Sequence, residues 1–307
     1  MTLPAIPIFL LILLLAFPSQ SVSGSRDGLL LWFNVVLPTL SPFIICTQMI
    51  TALGGTEMMM RPFGPVLNRL FCLSLSGSFI LLCGLLCGYP LGAKLCADFL
   101  RRGIISEKEA AYLLAVCNHP SPMFLLGYVQ AQLPCSPSPL LLLSCLYLPI
   151  LPLSLAARHC YSIGKDRAGT AMAMHTPLPQ SAKISLEDAI AAACETMVVI
   201  GGYMMLFSIL SVWIRQCPLF PPAVRAALTG AAEITTGVNS LCSSFHGKKA
   251  LMPVVCAVAF GGFSGIFQTK SVIKGTGLSI RHYVCWKLAH TGLSCLITAF
   301  LLSVPAR

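Results

Sequence analysis

The sequence predicts an all-α, polytopic helical membrane protein with about eight membrane segments. Hydrophobic residues make up 56% of the 307 residues, charged residues make up only 10%, and the mean hydropathy is +0.82. Soluble domains carry about 25% charged residues, so this chain has too little polar surface for a soluble fold. Its apolar residues also form runs close to the length of about 20 residues that a helix needs to cross a bilayer.

The apolar runs and the loops between them divide the chain into two halves. The runs lie at roughly 3–18, 29–53, 72–97, 110–133, 137–157, 187–214, 226–245, 250–269 and 283–304. We predict four regions, which are an N-terminal membrane helix and loop (1–28), a first half (29–157), a cytoplasmic linker (158–185) and a second half (186–307). The linker is the most polar stretch, and its basic residues are typical of a cytoplasmic segment.

The first apolar run also has the composition of a signal peptide's core. It lacks basic residues before that core, so we interpret it as a retained helix. Cleavage within residues 1–20 stays open as the alternative.

Charge and cysteine content exclude several classes of function. The formal net charge of +10 does not indicate a nucleic-acid partner, because Lys and Arg lie in short loops that would face anionic lipid. None of the fifteen cysteines forms a Cys-x-x-Cys pair, and most lie inside apolar runs, where cysteine behaves as a small hydrophobe. No nucleophile elbow, Walker A or His-Glu-x-x-His motif occurs. We therefore predict no metal, no cofactor and no enzymatic activity.

A first break interrupts the run at 72–97. The stretch Gly88-Tyr89-Pro90-Leu91-Gly92-Ala93-Lys94 combines helix breakers with a lysine. The break leaves backbone N–H and C=O groups without helical partners, and hydrocarbon offers them no hydrogen bonds. Protein or a water-filled cavity must therefore surround it. A lysine at this depth costs about 2.5–3.5 kcal/mol on insertion scales, which favours a partner or a function. The alternative is a tight turn from which Lys94 extends to the interface.

The basic residues favour a re-entrant hairpin for this run. If 72–97 crossed the bilayer once, Arg61 and Arg69 would lie outside. If the run turns back at Gly88–Gly92, every base from Arg61 to Lys108 lies on the cytoplasmic side, as the positive-inside rule prefers.

Three further stretches place polar groups in apolar surroundings. Asn118-His119-Pro120-Ser121-Pro122 frees carbonyls beside polar side chains, although it could be a simple proline kink. Glu233-Ile234-Thr235-Thr236-Gly237 could bind a cation, a proton or a polar solute, unless it lies on a surface helix. Gly261-Gly262-Phe263-Ser264-Gly265-Ile266-Phe267-Gln268 is a second glycine-rich break.

Internal symmetry links the glycine-rich breaks. A shift of 174 residues aligns Gly88 with Gly262 and Lys94 with Gln268. Paired interruptions in corresponding halves indicate a transporter's binding site. The candidate residues for binding a substrate or ion are Gly88, Tyr89, Pro90, Gly92, Lys94, Asn118, Ser121, Glu233, Thr235, Thr236, Gly262, Ser264 and Gln268.

Three isolated ionisable residues lie on predicted helices. Glu195 lies two turns into its helix, so we expect it to be buried and paired. Lys287 and His290 share one helical face, and we expect them near a lipid headgroup.

These stretches resemble the YlbJ-type sporulation integral membrane proteins. Their wider relatives carry the nucleoside-recognition, or gate, domain of concentrative nucleoside transporters and spore maturation proteins. The resemblance covers roughly residues 30–304 and implies two gate-like repeats with broken or re-entrant helices. It also implies a multi-pass protein of the bacterial inner membrane, or of the forming spore's membrane, linked to sporulation. His119-Pro120 departs from the small and polar residues expected after Asn118. The matching stretches are 37–43, 88–94, 118–122, 233–237 and 260–264.

Two hypotheses about function follow. The first is a transporter or channel-like protein for a small polar solute, coupled to H⁺ or Na⁺, in which Lys94 attracts an anionic group or balances Glu233. The alternative is a morphogenetic scaffold of the spore envelope, with glycine-rich helix faces that pack against each other. The partners expected are the lipid bilayer, the solute, and either a second copy of the chain or other proteins of the spore membrane.

Overall fold

The structure is a computed structural model that describes residues 5–163 and 185–303. The described residues form helices and contain no strand, which confirms the predicted fold class. Most of the predicted linker, 158–185, lies outside the described residues. The helices are α1 (Ala5–Ala16), α2 (Pro18–Ala52), α3 (Thr56–Met60), α4 (Gly64–Phe71), α5 (Leu75–Cys87), α6 (Leu91–Arg101), α7 (Glu107–Val116), α8 (122–132), α9 (Pro139–Tyr161), α10 (Leu186–Gln216), α11 (Pro222–Ala232), α12 (Ile234–Ser244), α13 (Leu251–Phe260), α14 (Gly262–Val272) and α15 (Ile280–Ser303).

Five helices within the described ranges are long and apolar enough to cross a membrane. They are α2, α9, α10, α15 and the segment Gly247–Val272, which contains α13 and α14. A sixth span results if α4 and α5, which meet at an angle of 94°, count as one bent span. This number is lower than the expected number of about eight. The apolar runs at 72–97, 110–133 and 226–245 each fold into two short helices, and the first run forms a helix of only 12 residues.

The first pair of short helices is a hairpin made of α5 and α6. Its arms pack against each other, and a Cβ atom added to Gly84 would lie 3.0 Å from the Gly92 Cα. The turn between the arms contains Gly88, whose φ of 84° favours glycine, and the Tyr89–Pro90 peptide bond is cis. Run 72–97 therefore turns back on itself, as the re-entrant interpretation requires.

The second hairpin is made of α11 and α12, and Glu233 is its turn. The close contact between the arms again uses glycine, since a Cβ atom on Gly230 would lie 3.8 Å from the Gly237 Cα. Glu233 ends α11 and begins α12 in an extended conformation. A single residue thus makes the turn that needs three residues in the first hairpin.

A broken helix follows each hairpin. In the first half, residues 117–121 separate α7 from α8. In the second half, Gly261 separates α13 from α14 and has a left-handed conformation with φ 82°. The N-terminal part of each broken helix packs on the last span of its half, α7 on α9 and α13 on α15.

Both halves therefore contain a span, a hairpin, a broken helix and a span in this order, and the first half adds α3 and α4 between its first span and its hairpin. This order differs from the expected shift of 174 residues. By element order, the turn at Gly88–Pro90 corresponds to Glu233, and the break at Asn118–Ser121 corresponds to Gly261. The first spans of the two halves, α2 and α10, pack along each other, and the Trp32 Nε1 donates a hydrogen bond of 2.9 Å to the Met197 carbonyl.

Candidate functional site: a cavity between the two halves

The hairpin turns and helix breaks of both halves meet at one cavity of about 310 Å³. Met204 of α10 and Gly261 both line it, and each lies near the middle of its candidate span. Transporters with broken helices bind their substrates at such central breaks.

Seven of the thirteen candidate residues line this cavity, and they come from both halves of the chain. They are Gly88, Tyr89, Ser121, Glu233, Thr235, Ser264 and Gln268. The sequence listed these residues as candidates, and only the folded structure places them around one space.

The first half contributes its hairpin turn and its helix break in direct contact. A Cβ atom on Gly88 would lie 2.8 Å from the Ser121 backbone nitrogen, so only glycine allows the turn to lie against the break. The Ser121 hydroxyl caps α8 by accepting a 3.1 Å hydrogen bond from the Phe124 backbone N–H. Tyr89 projects its ring into the cavity wall, and its buried hydroxyl has no hydrogen-bond partner among the described residues.

The second half contributes Glu233, which is the one ionisable carboxylate in the cavity wall. Its side chain is 2% exposed and caps the N-terminus of α12. One oxygen accepts hydrogen bonds from the Thr235 N–H and hydroxyl at 3.1 and 3.0 Å, and the other accepts from the Thr236 N–H and hydroxyl at 2.8 and 2.9 Å. The positive end of the helix dipole stabilises this negative charge without a basic side chain.

Ser264 and Gln268 lie one turn apart on α14 and face the cavity together. The Gln268 amide donates a 3.0 Å hydrogen bond to the Ser264 hydroxyl. Both residues are buried. The Gln268 amide oxygen can still accept a hydrogen bond, and the Ser264 hydroxyl can still donate one. This pair supplies neutral polar groups to the wall, and the Tyr89 ring lies close to Gly265 on the same helix.

Two π-helical turns also border the cavity, and sequence reasoning did not find them. One is Trp32–Val36 in α2, which brings Asn34 to the wall, and the other is Leu125–Val129 in α8, which contains Gly127 and Tyr128. The Tyr128 hydroxyl donates a 2.9 Å hydrogen bond to the Thr235 carbonyl of the other half. Single π turns inside helices are frequent at functional sites. The lone Asn34 within an apolar run was the available signal.

The other six candidate residues lie outside the cavity wall. Pro90 follows Tyr89 in the first turn, Gly92 packs closely against the Cys117 carbonyl, Thr236 binds Glu233, and Gly262 lies beside the turn at Glu233. Lys94 forms a 3.2 Å ion pair with Asp98, one turn along α6. The expectation that Lys94 balances Glu233 is therefore corrected, because the nearest carboxylate on its own helix already pairs with it.

Asn118 lies outside the cavity wall, where it contacts two helices. Its amide donates hydrogen bonds to the Thr269 hydroxyl at 3.0 Å and the Tyr283 hydroxyl at 2.8 Å. The backbone carbonyl of Asn118 accepts a 3.1 Å hydrogen bond from the Lys287 Nζ. Asn118 therefore links the first-half break to α14 and α15.

The isolated ionisable residues do not lie where the sequence suggested. Lys287 and His290 were expected near a headgroup, yet they are 2% and 0% exposed. Glu195 was expected to be buried, yet it is exposed on α10. Helical spacing alone does not reveal which face of a membrane helix packs against protein, because lipid and protein neighbours both tolerate apolar residues.

A larger depression of about 760 Å³ lies elsewhere, along α3, α4 and the start of α5. It is lined by Glu57, Arg61 and Arg69 among others, and it contains none of the candidate residues. Within the described ranges, no group of three or more His, Cys, Asp or Glu side chains is placed to hold a metal ion. The cavity between the halves is therefore the candidate site.

This fold and cavity define a multi-pass helical membrane protein with an internal cavity lined by residues of both halves. No family model matches the chain, and no solved structure matches it. The chain is similar to the sporulation integral membrane protein YlbJ of Bacillus subtilis (strain 168), with 26% identity over 338 aligned positions. The alignment covers 97% of this chain and 81% of the relative. The alignment confirms the resemblance to the YlbJ type, but it does not show gate-domain repeats.

Proposed function

We propose that this protein moves a small polar solute across the membrane through the cavity between its two halves, as a transporter or channel-like protein. We further propose that it serves in sporulation, the process stated in the name of its relative. The observation that carries the transport proposal is the convergence of two hairpin turns and two helix breaks on one cavity whose largely apolar wall carries a few polar side chains.

The physical support is the cost of such an arrangement. Each turn and break leaves backbone N–H and C=O groups without helical partners, and unsatisfied polar groups in lipid cost several kcal/mol each. A protein that only needed packing faces would avoid this cost with continuous helices. Irregular backbone around a cavity supplies hydrogen-bonding groups to a solute instead.

The wall favours an uncharged or cationic solute over an anion. Glu233 is the one charged side chain in the wall as described, and its oxygens already accept four hydrogen bonds. The groups left to bind a solute are neutral, and they include Asn34, Ser264 and Gln268. An anion would be repelled by the carboxylate, and among the described residues no lysine or arginine side chain lines the wall to offset that repulsion.

The first experiment compares the small-molecule content of cells that contain the protein with that of cells that lack it. The chain offers a matched pair of variants, because a Cβ atom on either Gly127 or Gly292 meets no atom within 4 Å. Gly127 lines the cavity, whereas Gly292 is exposed on α15 and is not part of the wall.

We expect one class of polar solute to differ between cells with and without the protein. Gly127→Leu should abolish that difference because its side chain fills the cavity, and Gly292→Leu should preserve it at equal protein abundance. If no solute class differs, the protein does not transport. If Gly127→Leu behaves like the unmodified protein, the solute does not pass through this cavity.

The role in sporulation is tested separately. Deletion of the protein in its own organism should reduce the yield of heat-resistant spores, and Gly127→Leu should reproduce the defect. A normal yield after deletion contradicts the role in sporulation. A defect that Gly127→Leu fully rescues favours the scaffold alternative, because the scaffold would need the protein but not an open cavity.

A further inference from the structure

The buried face of α15 consists entirely of polar side chains. Its five buried residues are Tyr283, Lys287, His290, Ser294 and Thr298. They recur every three or four positions, so they form one stripe that spans about 22 Å along the helix. The opposite face carries exposed apolar residues such as Leu296 and Phe300, as expected of a surface in contact with lipid.

Lys287 lies where the breaks of both halves come together. Besides its hydrogen bond to the Asn118 carbonyl, its Nζ lies 5.2 Å from the centre of the Tyr89 ring. Its Cε would be 3.6 Å from a Cβ atom on Gly261. In ranges 5–163 and 185–303, no carboxylate oxygen lies within 4.0 Å of this nitrogen. The ammonium is therefore buried without an ion pair, which is costly unless the proton can leave.

Two buried imidazoles lie beside this lysine. The rings of His119 and His290 are 4.1 Å apart between centroids, and Lys287 precedes His290 by three positions on the same face of α15. The His290 Nε2 is 2.9 Å from the Leu146 carbonyl, whereas its Nδ1 and both nitrogens of His119 make no well-formed hydrogen bond to any described residue.

Unpartnered polar atoms are concentrated here. The described residues contain ten buried side-chain nitrogen or oxygen atoms without a hydrogen-bond partner. Six of them belong to this stripe and its neighbours, namely one atom each of Tyr89, Asn118, His290 and Ser294 and two of His119. Buried polar groups in proteins are normally satisfied, so such a cluster indicates bound water or transient proton transfer.

We propose that the polar stripe of α15, together with His119, is a proton pathway that runs beside the cavity and reaches it at Tyr89. This inference rests on the proposed function and names the coupling ion. In the central step, an N–H bond of the Lys287 ammonium breaks and a new N–H bond forms at an imidazole nitrogen. The positive charge moves with the proton, so atoms and charge balance without a further reactant.

The titratable groups around Lys287 come from several elements. Tyr89 faces it from the first hairpin turn, His119 from the first-half break, and Tyr283 and His290 from α15 itself. Glu233 lies in the same cavity wall as Tyr89. On the neighbouring α9, the Tyr147 hydroxyl donates to the Leu85 and Pro120 carbonyls. On α14, Lys270 is exposed, and on α13, Cys256 is exposed.

The chemistry favours a proton over a metal cation. Amine and imidazole nitrogens exchange protons readily, and chains of such groups form proton relays in membrane proteins. Na⁺ would require several oxygen ligands and would be repelled by the ammonium of Lys287.

The experiment measures proton entry into liposomes that contain the purified full-length protein. A K⁺ gradient with valinomycin sets the membrane potential, and an enclosed pH-sensitive dye reports proton flux. The variants are His290→Asn, His119→Asn and Lys287→Met. Their controls are His282→Asn and Lys274→Met, which change exposed residues near the start of α15.

We expect the unmodified protein to conduct protons above the level of empty liposomes. The three pathway variants should lose about ten-fold or more of this flux, since positioned proton acceptors are worth about 10²–10⁴-fold in proton-transfer rate. The two controls should keep it. Size-exclusion chromatography of each variant separates loss of flux from loss of fold, and two folded pathway variants suffice for the test.

Absence of flux in the unmodified protein overturns the pathway, and so does full flux in folded His290→Asn and His119→Asn variants. These outcomes are distinct from failure of the proposed function. If solute content depends on Gly127 but no proton flux occurs, only the pathway is wrong. If protons flow but solute content never differs between cells, solute transport is wrong and the pathway remains.

Discussion

The first hairpin turns at Gly88, Tyr89 and Pro90, whereas the second turns at Glu233 alone. Both turns must lie against a broken helix inside the membrane, and they meet this requirement with different chemistry. The first relies on the absence of a side chain at Gly88, which lets it lie against Ser121. The second relies on a carboxylate that binds the free N–H groups of the next helix. Equivalent backbone geometry thus does not require equivalent residues.

The last spans of the two halves differ even more. The buried face of α9 is mainly apolar, with Leu142, Leu146 and Leu153 among its buried residues. The buried face of α15 is entirely polar. The two halves therefore share an order of elements, but only the second half provides a polar stripe beside the cavity. Four predictions test this comparison, from the largest expected effect to the smallest.

Removal of the cap at the second turn should have the largest effect. Glu233→Ala removes the acceptor of the buried N–H and hydroxyl of Thr235 and of the half-buried N–H and hydroxyl of Thr236. Because each unsatisfied buried donor costs about 1–3 kcal/mol, we expect a loss of roughly 3 kcal/mol or more in the free energy of unfolding. Thermal unfolding in detergent measures this loss, and Glu195→Ala, at an exposed position, is the control. Equal stability of the two variants would show that the cap is dispensable.

Replacement of closely packed glycines in the hairpins should cause the second-largest loss of stability. Gly237→Ala places a methyl group against the backbone of Gly230, and Gly84→Ala does the same against the Cys117 carbonyl. Overpacking of this kind costs about 1–3 kcal/mol. Gly292→Ala is the control, because its methyl group meets no atom within 4 Å. The unfolding temperatures of the three variants provide the measurement, and a Gly237→Ala protein as stable as Gly292→Ala contradicts the close crossing.

Loss of the hydrogen bond between the two halves should lower the stability by a smaller amount. Tyr128→Phe removes the donor to the Thr235 carbonyl while it keeps the ring. A hydrogen bond of this kind contributes about 1 kcal/mol, so a modest fall in unfolding temperature is expected. Tyr203→Phe, whose ring packs on Phe267, is a control of the same chemistry. If both variants unfold at the same temperature, Tyr128 does not join the halves in this way.

Lys94 should matter least, in contrast to Lys287. Its ion pair with Asp98 is partly exposed, and pairs of this type contribute about 0.2–1 kcal/mol. Lys94→Ala should therefore lower stability by less than about 1 kcal/mol and leave proton flux unchanged. The proton-flux assay and thermal unfolding check both parts. A Lys94→Ala variant without proton flux would place the functional lysine on α6 and not on α15.

The sequence predicted the interrupted segments well because the signals are local. Clusters of glycine, proline and capping residues interrupt a helix through local backbone effects, so the breaks at Gly88, Asn118 and Gly261 could be found without tertiary information. The distinction between a hairpin and a kinked span was harder. Gly88 and Gly261 look alike in sequence, yet the first reverses the chain and the second lies within a 26-residue span.

By itself, the sequence determined that this is a multi-pass helical protein and where its helices break, because hydropathy and backbone breakers act over short distances. The tertiary structure alone decided which breaks meet, that Lys94 pairs with Asp98, and that Lys287 and His290 are buried together. The physical reason is that lipid-facing and protein-facing positions are both apolar, so sequence periodicity carries little information about which faces pack. Packing of the helices placed the two π turns and the polar stripe beside the same cavity.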